Sequence, residues 1–424
     1  MRPQPSPNAE LASSGSPTAA SSGKHLEARI AAVGAALLSH IQGVVESAER
    51  AGNGPQALAT SLGIDKVLAS RVLKALRSRD PLTAVRLMPG PEPLRRLVRA
   101  AAKRGASQGD AAAANTAIDA FEELIRTHFG DRSLLDAMLS AWVPEARREF
   151  ELRRKQAAFK AMSQLKGVQA DVLGATVLLA PSKDGDHIDV VWLNQLHGLH
   201  RVRPGVTVKL SSRRLTKGPT ARQPMTLSGT DITPQTSPLV DAFCSSPLPH
   251  LDVRQVGETV FYLLGDEDIG GDAAVDLVFA EVNRDELNRF VPAGSSRKSY
   301  FFAEVTTPAQ LLQFDLLVHE DLYPGQDPQL RLYDASFEGV ANPNEPTRDI
   351  DQIDMMETVT ALGKGARGFR SAEISRYGEL VAHVLEQSRF DGSRMRGYRC
   401  RIDYPLYGSQ IMLLFEGDEK PLSP

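Results

Sequence analysis

Six side chains between residues 66 and 77 have the types and spacing to read a polyanion. Lys66, Val67, Ser70, Arg71, Lys74 and Arg77 recur at three- and four-residue steps, which places them on one face of a helix. Arginine can grip a guanine edge with two hydrogen bonds, whereas lysine acts as a point charge. On that chemistry Ser70 and Arg71 are the expected base readers. Lys66, Lys74 and Arg77 are the expected phosphate contacts, and double-stranded DNA is the expected partner. A second basic run, Arg95, Arg96, Arg99, Lys103 and Arg104, lies on a later helical pattern. It reads equally as a phosphate-contacting face or as an ordinary solvated one.

The element that must present the first stripe is the segment QALATSLGIDKVLASRVLKAL, residues 56–76. Two helices that cross through a tight turn need a small residue at the contact and a residue tolerant of positive φ in the turn. Ala59 and Gly63 supply these, four residues apart. Leu58 and Leu62 before the turn, and Ile64, Leu68, Val72, Leu73 and Leu76 after it, then face a shared core. The Ala59, Gly63 and Arg71 spacing resembles the DNA-reading module of the IclR and MarR classes of bacterial regulator. That resemblance covers about residues 24–104. It implies a winged-helix-like, DNA-binding transcription regulator that acts as a homodimer on two half-sites. The pattern departs from those classes after Pro81, where RLMPGPEPLRRLVRAAAKRG reads as a turn and then a helix instead of a β-hairpin wing. The same helical module also serves as a dimerisation domain in some small-molecule methyltransferases. Residues 66–104 carry eleven Lys/Arg against two acids, a surplus that is costly to bury against a partner.

Constellations suited to catalysis or metal binding are weaker. His319-Glu320-Asp321, with Glu304 upstream, has ligand-type side chains, but adjacent strand residues point to opposite faces. His197 and His200 sit in a loop-like context. Asp349, Asp351 and Asp354 fall where a helix is expected to begin, and its dipole accounts for them. Arg396, Arg399 and Arg401 suit an anionic ligand or a solvated sheet face. Tyr404, Tyr407 and Gly408 suit a pocket or tight hairpin packing. The sequence lacks Walker, GxGxxG, HExxH, CxxC and GxSxG motifs. LLGDEDIGG, residues 263–271, leads into a strand and not into the helix a nucleotide cradle needs. No catalytic residue, metal ligand or cofactor is therefore assigned.

The 424 residues carry a net charge of −3, which hides an asymmetry. Residues 24–104 hold 14 Lys/Arg and 6 Asp/Glu, whereas residues 105–424 hold 34 and 45. Only the first part suits a polyanion. The two cysteines, Cys244 and Cys400, give no disulfide framework, and a reducing cytoplasm is the expected location. No stretch approaches about 18 uninterrupted apolar residues, so no membrane partner is expected. The start lacks a charged and then apolar secretory pattern.

Four regions follow. Residues 1–23 form a Ser/Pro/Ala-rich disordered tail. Residues 24–104 form the helix-turn-helix domain. It opens on a helix over 24–51 and has a second-turn helix over 65–79, broken by Asp80-Pro81. Residues 105–169 form a helical connector or dimerisation arm that begins with a linker over 105–115. Residues 170–424 form an α+β domain with a largely antiparallel sheet, including a hairpin around Lys183–Asp186 and helices over 351–362 and 372–390. The C-terminal runs 398–404 and 410–416 read as a strand pair. This domain is expected to bind a small-molecule or protein effector, to dimerise, or to recruit a partner. An enzyme whose first module only dimerises, and an adaptor of a mobile-element or defence system, remain as alternatives.

Overall fold

Apolar residues at helical spacing need a common interior, and in the first part of the chain they find it around one long helix. The computed structural model describes residues 17–48, 54–142, 144–214, 224–233, 236–265, 268–365 and 368–420. The chain divides into two compact units, up to Phe150 and from Glu151 onward. The first contains α1 (Pro17–Ser47), α2 (Pro55–Leu62), α3 (Lys66–Leu76), α4 (Pro81–Leu87), α5 (Pro91–Ala102), α6 (Gln108–His128) and α7 (Arg132–Trp142). The division falls within α8 (Pro144–Lys166).

α1 buries Ile30, Leu37, Ile41 and Val44 completely, the stripe its spacing predicts. Full burial of each such side chain contributes about 1.5–3 kcal/mol. Over His25–Ser47 the helix reaches a mean hydropathy of 1.4, long and apolar enough to cross a membrane by length and composition alone. Its apolar stripe is instead packed into the core of the helical unit. The contact between α1 and α4 is so close that a Cβ on Gly34 would lie 2.3 Å from the Pro81 carbonyl oxygen and 2.8 Å from Val85. Only glycine fits there.

Several sequence expectations change in this unit. α1 begins at Pro17, inside the expected tail, and residues 1–16 lie outside the described residues. Asp80-Pro81 does not merely end a helix but opens α4: the Asp80 carboxylate accepts from the Thr83 N–H at 2.8 Å, and Pro81 takes the first turn. The expected linker over 105–115 is mostly the first turns of α6, capped by Ser107, whose hydroxyl accepts from the Asp110 N–H. Its alanines are strong helix formers, and α6 has an apolar face to bury. Ala114, Ile118, Phe121 and Leu124 from α6 and Leu135 and Leu139 from α7 share the same core as α1, so this half of the connector is part of the helical domain. From Glu151 on, α8 belongs to the second unit, where Lys155 pairs with Glu357 and Phe159 packs on Tyr404.

The second unit is α+β, with mostly antiparallel strands. β1 (Val168–Pro181) and β2 (His187–Arg201) form the predicted hairpin, longer than its β-branched runs suggest. β3 (Lys209–Arg214), β4 (Leu251–Val256) and β5 (Thr259–Leu264) make a small three-stranded sheet. β6 (Val275–Asn288) pairs with β2. β7 (Phe290–Val291) is two residues long, and β8 (Lys298–Glu304), β9 (Ala309–His319) and β10 (Gln329–Asp334) follow. The unit closes with β11 (Val359–Lys364), α9 (Tyr377–Ser388), β12 (Met395–Asp403), β13 (Ser409–Glu416) and β14 (Asp418–Glu419).

The main sheet has the order β11-β12-β9-β1-β2-β6, with β1 and β9 parallel at its centre. Strands buried on both faces read as near-continuous apolar runs, and LLQFDLLV in β9 is one. One face, with Val177, Leu179, Phe314 and Leu316, packs on Phe301, Leu332, Ile411 and Leu413 of the β10-β13-β8 sheet. The other, with Leu178, Val191, Leu193 and Val278, lies under Tyr377, Leu380, Val381 and Val384 of α9.

On the α9 face, the fully buried Asp315 of β9 is met by two guanidinium N–H groups of Arg399 (2.8 and 2.7 Å) and by the Tyr377 hydroxyl at 2.5 Å. Burial pushes the Tyr377 phenol well above its ordinary value, so it stays protonated and donates.

Two further corrections apply here. The expected helix over 351–362 is a short 3-10 turn, Pro346–Asp351, followed by β11. Val359 to Lys364 pair antiparallel with β12, and Gly363 sits at φ 87° in a register shift that no helix accommodates. Runs 398–404 and 410–416 do not form a hairpin. β12 pairs with β9 and β11, whereas β13 pairs with β8 and β10 in the other sheet. The alternation was informative all the same: Tyr398, Cys400 and Ile402 do face the core between the sheets.

Gly34→Val should lower stability by about 1–3 kcal/mol in denaturant titrations of the helical unit's far-ultraviolet signal, the usual cost of overpacking. Asp315→Ala should cost about 3–5 kcal/mol, because it strands the Arg399 guanidinium among buried neighbours, and a drop in the melting temperature of the sheet-rich unit measures it.

Candidate nucleic-acid interface

α2 and α3 are joined by Gly63, Ile64 and Asp65. Gly63 adopts φ 69°, ψ 37°, and its N–H and that of Ile64 both donate to the Ala59 carbonyl. That left-handed geometry favours glycine and turns the chain sharply. Asp65 caps α3, its carboxylate accepting from the Leu68 N–H at 2.7 Å. Leu58, Ala59 and Leu62 of α2 and Leu68, Ala69, Val72 and Ala75 of α3 are buried in the helical core. The small alanines allow the two helices to approach closely.

With those residues turned inward, Lys66, Val67, Ser70, Arg71, Lys74 and Arg77 are all exposed, and Val67 is 70% exposed. Ion pairs in this unit join Arg86 to Glu149, Arg95 to Asp119 and Glu122, Arg99 to Glu92, Arg126 to Glu123 and Arg132 to Asp136. Among the described residues none of these pairs uses Lys66, Arg71, Lys74 or Arg77, so this face keeps its charge open.

The second basic run divides. Arg95 is held between Glu122 (2.5 Å) and Asp119 (2.7 Å) of α6, and these carboxylates keep its guanidinium above the usual arginine range. It ties α5 to α6 and is neutralised there. Arg99 donates to Glu92 on its own helix. Arg96 is exposed, and Lys103 and Arg104 are exposed near the end of α5, where they complement the helix dipole. Nor does α5 directly follow α3, since α4 intervenes, and the described residues after α3 in this unit contain helices where the family resemblance implies a wing.

Arg132 is a basic group that the sequence reading passed over, because it lies in the expected connector. Its guanidinium donates to the carbonyls of Val85 and Arg86, bonds Asp136 and lies 5.2 Å from the Phe121 ring centre. Burial pulls its pKa down, Asp136 opposes that, and the charge of Arg71 adds to the lowering, which places Arg132 in the field of the α3 face. No local pattern marks this residue; only the packing of α7 against α4 brings it there.

In the second unit His319 and Asp321 approach each other, at 3.6 Å, but the candidate constellations do not assemble as full sets. His319 ends β9 on an 850 Å³ cavity, which Asp321 also lines. Glu320 pairs with Arg394 and Lys364. Glu304 instead lines a separate 580 Å³ cavity with Lys166, Arg203 and Lys209. His197 and His200 lie in β2, not in a loop; His197 faces Asp276 at 3.5 Å, and His200 contacts Gln169 and the Gly198 carbonyl. Asp349 and Asp351 pair with different arginines, Arg331 and Arg348.

Arg396 donates to the carbonyls of Leu322, Tyr323 and Gln326, Arg399 holds Asp315, and Arg401 pairs with Glu373 and Asp403. Arg396 and Arg399 therefore bind the fold together, whereas Arg401 pairs with its neighbours on the exposed side of the strand. Tyr407 and Gly408 line the 580 Å³ cavity, the pocket of the two alternatives, with Lys166 5.1 Å from the Tyr407 ring centre.

No protein-family model matches the chain, and no curated protein matches it in sequence.

Asp65→Ala should cost about 1 kcal/mol of stability by removing the α3 cap, whereas Asp65→Asn should retain most of it. Chemical denaturation of the two variants side by side checks this.

Proposed function

We propose that α2 and α3 form a helix-turn-helix that docks on double-stranded DNA, and that the chain is a cytoplasmic transcription regulator acting as a homodimer. The observation that carries this reading is the outward face of α3. It presents Lys66, Arg71, Lys74 and Arg77, exposed and, among the described residues, outside the ion pairs of the unit, with Val67 and Ser70 between them. A capped helix with its inner face locked into a core is a rigid platform for such a face. Arg71 and Ser70 read base edges in the major groove, and Lys66, Lys74 and Arg77 neutralise phosphates. Arg96, exposed on α5, adds a further phosphate contact in this reading. Arg95 and Arg99 are already paired within the domain.

The second unit supplies the effector or partner function in this reading. Its 580 and 850 Å³ cavities fall within the range that small ligands occupy. Both cysteines are free thiols, which agrees with a reducing compartment. One observation favours a protein partner on α3 instead: Val67 is a large apolar side chain at 70% exposure in the middle of the face. Four open cations around it weigh against a dry interface, and the thymine methyl group is an apolar alternative within DNA.

Fluorescence anisotropy on duplexes selected from random sequence, at two salt concentrations, tests the reading. Binding should weaken steeply as salt rises, because phosphate contacts release counterions. Arg71→Ala should reduce discrimination between selected and random duplex by about ten- to a hundredfold. Lys66→Ala should weaken binding to both alike and lower the salt slope by about one. Arg95→Ala should leave DNA affinity unchanged. A parent chain that binds no duplex at low salt, or that binds with no dependence on salt, overturns the assignment.

A further inference from the structure

A second feature belongs to the sheet-rich unit, at one end of the main sheet. The turn between β1 and β2 carries Asp184, and His187 begins β2. One carboxylate oxygen of Asp184 accepts from the N–H groups of Asp186 and His187, at 3.0 and 3.1 Å, so that oxygen is pinned by the turn. The other oxygen faces the His187 Nδ1 at 2.5 Å.

Asp285 reaches the same place from the far side of the β2–β6 pairing, about a hundred residues along the chain. The register between β2 and β6 shifts between Ile188 and Val190, and Asp285 stands in that irregularity at φ 50°. Bulges of this kind re-aim a side chain. The backbone is held there by Asp189, which accepts from the Asp285 N–H at 2.8 Å and pairs with Arg284 at 2.7 Å. Asp189 is itself buried and bonded by Ser182. The Asp285 carboxylate, by contrast, has no hydrogen-bond partner among the described residues. A carboxylate with no donor of its own among these residues is available to a cation held beside the Asp184–His187 pair.

The ligand atoms of Asp184, His187 and Asp285 all lie within 4.8 Å of one another. An ion with nitrogen and oxygen donors at about 2.0–2.2 Å requires only small side-chain rotations to draw three such atoms together. We propose that Asp184, His187 and Asp285 form a binding site for a divalent transition-metal ion. An imidazole with two carboxylates suits zinc, manganese or cobalt rather than magnesium or calcium, which take oxygen ligands. Three protein donors leave at least one coordination position open. Asp285 also lines the 850 Å³ cavity, together with Lys183, Arg284, Arg389 and Arg394. The site is independent of the α3 face, and either assignment can fail without the other.

The test uses the full chain, stripped with chelator and exchanged into metal-free buffer. Calorimetric titration with zinc and with manganese should show one ion bound per chain. Asp285→Asn and His187→Gln should each weaken that binding by about tenfold or more, while their metal-free circular dichroism and melting stay like the parent's. Asp186→Asn, which changes a carboxylate in the same turn that pairs instead with Lys420, should bind like the parent. In the unmodified chain, zinc should protect His187 from diethyl pyrocarbonate, read by peptide mass mapping, which needs no variant to fold. A parent that binds no stoichiometric ion, variants that bind as the parent does, or His187 modified at the same rate with and without zinc would each overturn the proposal.

Discussion

Asp315 lies at the centre of β9 with no solvent exposure, and the second unit is arranged around keeping that carboxylate partnered. A buried charge is tolerated only when its oxygens are met by donors in good geometry. Arg399 from β12 supplies two, Tyr377 from α9 supplies a third, and Gln313 stands 3.3 Å away on the same strand. The Tyr377 hydroxyl also lies 3.0 Å from Thr176 on β1, which in turn accepts from Gln195 on β2. One carboxylate thus links four neighbouring strands to the helix that covers them. Apolar burial between the sheets supplies most of the driving force, but it is non-directional. The polar chain sets which strands lie side by side and where α9 sits.

The helical unit solves a different problem. Its constraint is the close approach of α1 to α4 at Gly34, which brings the apolar stripe of α1 into a core shared with α6 and α7. α3 contributes Leu68, Ala69, Val72 and Ala75 to that core, and the commitment of this inner face is what leaves six polar or exposed residues on the other. The basic surplus of the first hundred residues is thereby sorted. Arg95 and Arg99 are consumed by neighbouring carboxylates, whereas among the described residues the cations of α3 are not. Composition alone counts all of these charges alike.

Local signals with a steric cause carried over well. Gly63 in the left-handed turn, Asp65 at the start of α3, and the β1–β2 hairpin each reflect preferences of a few adjacent residues. The misreadings share a different origin. Residues 105–115 contain glycine, serine and alanine, which suit a linker and a capped helix equally, and the apolar face of α6 decided between them. Val359–Lys364 became a strand because β12 offered a ladder for it. The runs at 398–404 and 410–416 alternate as paired strands should, yet alternation specifies only which side faces inward and not which strand lies alongside.

The candidate sites divide along the same line. The face formed by Lys66, Val67, Ser70, Arg71, Lys74 and Arg77 was determined by the sequence itself, because residues three and four apart on a helix must share a side. So was the α+β character of the second unit, which follows from runs of β-branched and apolar residues. Only the tertiary structure decided that Arg95 is neutralised, that Arg132 lies in the field of Arg71, and that Asp285 meets Asp184 and His187. Each of these depends on a contact between elements far apart in the chain. Helical periodicity fixes neighbours within a turn or two, but side chains separated by tens of residues meet only where the packing of whole elements brings them together.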